Sequence, residues 1–295
     1  MIKRKNTERL RHFIQLASAV ICNGYIVGFK NHEIFRGKTK AFCVPVLNCY
    51  SCPGALGSCP IGSLQAVLSD CNNQFSFYVL GLLMLFGILF GRLICGFLCP
   101  FGFIQELLHK IPLPKIQVPK PLDNILRYLK YLILIFFVIL GPLLLTNRFG
   151  IGSPYFCKLI CPAGTLEGGL PLILTNPVLK NTIGNLFFWK LSILILLVLA
   201  SLFIYRPFCK YICPLGAIYA LFNRFSFYRL QVDQDKCTHC GACSHLCKMN
   251  AKPQEQKNMS ECILCGQCKS ACPQDAIHIG FQCKKQKKSV TTNNM

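Results

Sequence analysis

Four stretches of the chain share one pattern: Cys59-Pro-Ile-Gly-Ser-Leu, Cys99-Pro-Phe-Gly-Phe-Ile, Cys161-Pro-Ala-Gly-Thr-Leu and Cys213-Pro-Leu-Gly-Ala-Ile. Each reads C-P-x-G-x-[LI], and in three of them a second cysteine stands four residues earlier, at Cys95, Cys157 and Cys209. In the first copy that position is Ala55, with Cys49 and Cys52 just upstream. Proline suits the first position of a helix, so each Cys-Pro cysteine is expected at a helix N-cap. There the positive helix end lowers a thiol pKa and favours the thiolate. Cysteine used as a small apolar filler needs no fixed spacing, and four copies in register argue against that use.

The segments between the copies are apolar. Phe75 to Gly91, Tyr131 to Leu145 (extendable toward Ile125) and Leu186 to Tyr205 suit a hydrocarbon core of about 30 Å. Phe13 to Phe29, interrupted by Gln15 and Asn23, is a weaker fourth candidate whose alternative is a helix lying on the membrane surface. We place the spans at about 13–29, 75–91, 127–145 and 186–205. Composition agrees: 53% of residues are hydrophobic and 15% charged, with a mean hydropathy of +0.43, which excludes an ordinary soluble protein. The formal charge of +21 fits positive membrane flanks rather than nucleic-acid binding. Metal-bound cysteines are thiolates, so that charge is an upper figure.

With four spans, the amino-terminal tail and residues 92–130 and 206–230 share one side and carry five, six and four Lys/Arg, against four and three in 30–74 and 146–185. That asymmetry expects a multi-pass protein of the bacterial plasma (inner) membrane with both termini cytoplasmic. The first apolar stretch lacks a small-residue cleavage pattern and is expected to stay in the mature protein. The copies then alternate outside, inside, outside, inside. Residues 1–115 and 116–230 become two similar halves about a pseudo-two-fold axis along the membrane normal. Such an axis gathers Cys95, Cys99, Cys209 and Cys213 near the cytoplasmic surface, and Cys59, Cys157 and Cys161 with Cys52 or Cys49 near the outer one. Four thiolates in either group suit an iron-sulfur cluster, a soft metal such as Cu(I) or redox disulfides. Cys22, Cys43 and Cys71 lack a partner pattern and read as buried apolar residues.

Beyond residue 230 the text changes. CTHCGACSHLC (237–247) and CILCGQCKSACP (262–273) each hold C-x2-C-x2-C-x3-C, the bacterial ferredoxin run in which three cysteines hold one cubane and the fourth crosses to the other. Cys237, Cys240, Cys243 and Cys272 are expected on one [4Fe-4S] cluster, and Cys262, Cys265, Cys268 and Cys247 on the second. Gly241 and Gly266 ease the curl of the chain around each cube. Zinc also takes CxxC pairs, but not two octads of this form. Lys248 stands where proline is expected after Cys247, whereas Pro273 follows Cys272. His239 and His245 are not needed as ligands beside eight thiolates. Residues 231–280 are read as a small α+β ferredoxin domain with two [4Fe-4S] clusters, after an α-helical membrane domain over 1–230. Residues 281–295 read as a disordered basic tail.

GRLICGFLCPFG (91–102), PYFCKLICPAGTLE (154–167), YRPFCKYICPLGAIY (205–219) and the two octads resemble the NapH/NosR-like group of membrane-bound 4Fe-4S ferredoxins over most of the chain. The resemblance implies four spans, cytoplasmic termini, and electron transfer between the quinone pool, soluble carriers and a membrane or extracytoplasmic acceptor. The outer motifs at Cys49 to Cys59 and Cys157 to Cys161 depart from a NapH-like pattern, and no haem-attachment CxxCH is present.

The leading expectation is an electron-transfer subunit of a quinol dehydrogenase-like oxidoreductase. It exchanges electrons between the cytoplasmic cubanes, the inner quartet and either quinol or an acceptor at the outer cysteines. Quinol oxidation needs a proton acceptor. Glu106 and His109, one helical turn apart, are candidates beside their alternative as an ordinary polar helix face, and Glu167 is a weaker outer one. A copper reductase or cofactor-assembly factor with paired thiolates on Cu(I) is the second reading, and a redox sensor or docking module the third. No G-x-G-x-x-G, P-loop or Ser-His-Asp pattern supports nucleotide or hydrolase chemistry.

Overall fold

The computed structural model describes residues 2–31, 33–69, 77–146, 152–181, 183–255 and 259–281. Cys71 and the tail from 282, with Cys283, lie outside them. Pro60–Leu68, Pro100–His109 and Pro214–Phe222 are helices with proline in the first turn and Cys59, Cys99 and Cys213 at their N-caps. Cys161 is extended (φ −62°, ψ 110°) and precedes helical Pro162, after which the chain is π-helical over Gly164–Gly169. All four cysteines therefore stand at the entry to a helical turn.

Between these short helices run Phe77–Phe90, a helix from Lys120–Ile133 through a π-helical Leu134–Leu140 into Gly141–Leu144, and Asn185–Phe203. Pro121–Leu144 and Asn185–Phe203 are long and apolar enough to cross a membrane, and Phe77–Phe90 is a shorter apolar helix. Asn185–Phe203 turns most of its apolar surface outward, with only 17% of its most apolar window buried. Phe188, Ile195, Leu196 and Leu199 are among the exposed side chains. An apolar face of that size suits lipid rather than water.

The expected amino-terminal span differs. The first helix is Ile2–Cys22, followed by a break and a second helix over Ile26–Asn31. Asn23 and Gly24 supply the turn: Asn23 Nδ2 donates to the Ala19 carbonyl, a local bond that competes with continuing the helix. Arg11 and Gln15 of this helix are buried rather than lipid-facing. Two membrane-length helices, not four, are therefore present among the described residues.

The carboxy-terminal unit is α+β. Tyr228–Val232 pairs antiparallel with Ile277–Phe281, Leu230 opposite Ile279, with short helices Ala242–His245 and Gln267–Ala271 between them. The first strand starts at Tyr228, so the domain begins slightly earlier than residue 231. Leu230, Val232, Cys243, Cys262, Leu264 and Ile277 form its core. In the membrane part, Phe101 and Phe208 meet edge to face at 5.0 Å and join the arms of the second and fourth motif copies.

Candidate functional site

Each octad curls in the same way. The second residue after its first cysteine, His239 or Leu264, is left-handed, and so is the glycine after its second, Gly241 or Gly266. Asn250 and Asp275, three residues past the fourth cysteine, repeat the left-handed turn. The result is two cavities. One is lined by Cys237, Cys240, Cys243 and Cys272, the other by Cys247, Cys262, Cys265 and Cys268. The structure thus gathers the two sets expected from spacing, with each octad's fourth cysteine crossing over. His239 and His245 are exposed, as is Cys240, whereas Cys262 is buried.

The buried side of this domain rests on the membrane part. At Gly96, a Cβ would come within 2.2 Å of the Ile263 carbonyl oxygen, so only glycine lets the segment beside Cys95 approach the segment beside Cys262. Glu261 closes the joint. Its carboxylate accepts from Arg92 Nη1 and from Lys130 Nζ, each at 2.5 Å, with all three side chains almost wholly buried. Asn223 Nδ2 donates to the Met259 and Cys262 carbonyls at 2.6 and 3.1 Å. Lys248 stacks over the Tyr205 ring at 5.1 Å, an anchoring use for the lysine that replaces proline.

The inner cysteines are held reciprocally. Arg92, three residues before Cys95, donates from Nη2 to the Cys209 carbonyl at 3.0 Å. Arg206, three residues before Cys209, donates from Nη1 to the Cys95 carbonyl at 2.7 Å. Such an exchange is what a pseudo-two-fold axis between the second and fourth copies produces. The thiols acting electrostatically on Cys213 are those of Cys209, Cys95 and Cys99. Cys99 and Cys213 accept from the Gly102 and Gly216 amides at 3.4 and 3.3 Å. Burial nonetheless outweighs these helix-end amides and pushes both thiols up. The helix-end amides lower these pKa values, as expected, but do not offset burial, and a cationic partner such as cluster iron would supply the remaining stabilisation.

Glu106 is not on an ordinary polar face. It pairs with Arg11 at 2.6 Å and Arg206 at 2.9 Å and accepts from the Tyr205 hydroxyl. Although burial opposes it, the two guanidiniums and the hydrogen bonds bring its pKa down to about 2. A carboxylate so held is a fixed anion and a poor proton acceptor near neutrality. His109 packs edge-on to Tyr205 at 5.4 Å, and burial lowers its pKa. Glu167 accepts the Cys49 amide at 2.7 Å, and burial raises it to about 7. Its acidity is nearer to what proton exchange needs.

On the other side, the thiols acting on Cys161 are those of Cys157, Cys59 and Cys49. Cys52 is buried too and acts on Cys49, but is not among the thiols acting most strongly on Cys161. All the described cysteines are free, with no disulfide among them. No three His, Cys, Asp or Glu among the described residues close on a point as a single-ion site requires. This holds for the ferredoxin cysteines too.

Sequence reasoning missed Arg92, Arg206, Glu261, Gln65 and Gln105. The arginines had a signal, R-x-x-C-x-x-x-C-P in both inner copies. So did the glutamines, each six residues after its Cys-Pro cysteine in the first two copies.

A family described as a 4Fe-4S binding domain matches residues 72–119 and 186–229, the segments holding the inner cysteines. A second family of the same description matches 230–252 and 255–278. Cys49, Cys59, Cys157 and Cys161 lie outside all four segments. The chain is 32% identical over 207 residues to an uncharacterized protein of Methanocaldococcus jannaschii, covering 68% of this chain and 76% of that one. It is 26% identical to the putative electron transport protein YccM of Escherichia coli K12, over 54% of this chain and 42% of that protein. It is also 26% identical to the regulatory protein NosR of Stutzerimonas stutzeri, over 56% and 21% of the two chains. No solved structure matches it.

Proposed function

Because the chain belongs to the NapH/NosR-like family of membrane-bound 4Fe-4S ferredoxins, we propose that it carries electrons between a soluble carrier and the quinone pool or another membrane or extracytoplasmic acceptor. The observation that carries the reading is the joint at Gly96 and Ile263, where the cysteine segments of the ferredoxin and of the membrane part meet without intervening side chains. In this reading Cys237, Cys240, Cys243 and Cys272 hold one cluster, Cys247, Cys262, Cys265 and Cys268 a second, and Cys95, Cys99, Cys209 and Cys213 a third. Bound [4Fe-4S] clusters supply one-electron chemistry over a wide range of potentials.

The protein's own part is placement and charge. Exposed Cys240 marks the face open to a soluble carrier, and buried Cys262 the face toward the membrane. Arg92 and Arg206 fix the backbone of both inner arms and set two guanidiniums beside the thiolates, which favours the more reduced, more negative state. Gln105 donates to Cys209 Sγ at 3.2 Å with the same effect. In this reading the ferredoxin and the inner quartet share the cytoplasmic side, as the excess of Lys/Arg in residues 92–130 and 206–230 favours.

The test is iron and acid-labile sulfide per chain in wild type and in Cys95→Ser/Cys209→Ser protein purified anaerobically. The variant should lose about four iron atoms, the content of one cubane. Equal iron in both proteins refutes an inner cluster, and stoichiometric copper lost with those cysteines would point to the copper reading instead.

A further inference from the structure

The outer cysteines repeat the inner construction in a way that chain order alone does not reveal. Gln105, six residues after Cys99, accepts from the Phe208 amide at 3.1 Å through Oε1, and its Nε2 donates to Cys209 Sγ at 3.2 Å and to the Phe101 carbonyl at 3.3 Å. Gln65, six residues after Cys59, accepts from the Phe156 amide at 3.1 Å and donates to Cys157 Sγ at 3.3 Å and to the Ile61 carbonyl at 3.2 Å. Both glutamines are almost wholly buried. The partner segments share the text Phe-Cys-Lys-x-Ile-Cys-Pro, at 156–162 and 208–214. One clamp thus pairs the first copy with the third, and an equivalent clamp pairs the second with the fourth.

The first and third copies come together around four sulfurs. A Cβ on Gly62, in the turn after Cys59, would lie 4.0 Å from Cys157 Sγ. A Cβ on Gly164, in the turn after Cys161, would lie 3.8 Å from Cys49 Sγ, and one on Gly168 3.3 Å from the same atom. The carboxylate of Glu167 holds the Cys49 amide in place. Cys49 rather than Cys52 is therefore the fourth member. The charge has a counterpart as well. Half-buried Lys190 lies on the apolar Asn185–Phe203 helix, donates to the Cys157 carbonyl at 3.2 Å, and sits 3.7 Å from the Gly164 position. No carboxylate pairs with it among the described residues. A cation in that setting calls for a nearby negative group.

We infer that Cys49, Cys59, Cys157 and Cys161 hold a further [4Fe-4S] cluster at the end of the membrane domain away from the ferredoxin, with Gln65 hydrogen-bonded to one ligand sulfur and Lys190 as the facing cation. On ligation the four thiols release four protons, and the four thiolates outweigh the positive charge of the core, leaving the net negative site that Lys190 faces. Gln65 is a positioning residue: it orients Cys157 and, through its N–H on sulfur, favours the reduced cluster.

The experiment uses the full chain, purified anaerobically in detergent, with iron and acid-labile sulfide counted per chain. Cys49→Ser/Cys161→Ser protein should lose about four of each, while Cys52→Ser protein keeps the wild-type content. The loss should add to that of Cys95→Ser/Cys209→Ser, so the inner and outer sites fail or stand separately. Wild-type iron in the outer variant, or the same loss on replacing Cys52, overturns the assignment. Gln65→Leu keeps every thiol and guards against misfolding of the cysteine variant. In an EPR-monitored redox titration it should move one cluster's midpoint potential to a more negative value and leave the ferredoxin signals where they are. Unchanged midpoints throughout overturn the inference.

Discussion

Replacing Glu261 by glutamine strikes the joint on which the proposed electron route into the membrane part depends. The carboxylate is the shared partner of two buried cations, Arg92 and Lys130, each at 2.5 Å. Removing one member of a buried ion pair costs about 3–5 kcal/mol, because the remaining charge stays desolvated. Arg92 keeps its bonds to the Ser260 and Cys209 carbonyls, so the lower end, about 3 kcal/mol, is the expected cost. At about 1.4 kcal/mol per tenfold, the joint should open somewhat more than 100-fold more often. Hydrogen exchange of the full protein reads this directly: amides of residues 259–265 and 92–98 should lose protection by that factor. Lys236→Met is the control, since its pairing with Asp233 at 3.9 Å is solvent-exposed and such pairs contribute about 0–1 kcal/mol. Adding Lys130→Met to Glu261→Gln removes one orphaned cation and should restore part of the protection. Equal protection in Glu261→Gln and Lys236→Met would refute the reasoning.

Other consequences follow from single contacts. Gly96→Ala drives a methyl group into the Ile263 carbonyl. It should destabilise the joint by about 1–3 kcal/mol, read as lost protection in the same two segments with the iron content unchanged. Glu106 has a folded pKa of about 2 against an ordinary 4.5, a difference of about 3 kcal/mol of stability. Because that pKa is depressed, the contribution is complete above about pH 4.5 and is lost as pH falls toward about 2. Glu106→Gln should therefore be less stable than wild type by a constant amount between pH 7 and pH 5 in denaturant titrations, and a gap that closes over that range would contradict the buried-anion assignment.

The cysteines could be read in the sequence because cluster ligation imposes short fixed spacings, as in the two octads, and because the four Cys-Pro copies repeat one pattern. Their supports could not. Arg92 meets the Cys209 carbonyl, and Glu261 meets Arg92, across more than a hundred residues of chain, and no local periodicity reports such contacts. The repeated Arg-x-x-Cys and the glutamine six residues past Cys-Pro were visible marks without a visible meaning until folding set them on carbonyls and sulfurs. Cys49 and Cys52 are too close in sequence for spacing to choose between them; the preference for Cys49 comes from the turns at Gly164 and Gly168, which lie beside its sulfur in space. The amino-terminal segment reads as one stretch over 13–29 because hydropathy averages across Asn23-Gly24, where the structure breaks the helix, and because the buried partners of Arg11 and Gln15, Glu106 and the Gly96 carbonyl, lie far away in the chain.

The central claim, that ferredoxin sulfur and membrane sulfur form one conducting unit, is tested most directly by rapid-freeze EPR after photoreduction by a soluble donor at the ferredoxin face. In wild type a paramagnetic signal absent from Cys95→Ser/Cys209→Ser protein should rise after the ferredoxin signals and at their expense. Electrons that stay on the ferredoxin in both proteins, with identical spectra at all times, would contradict the account.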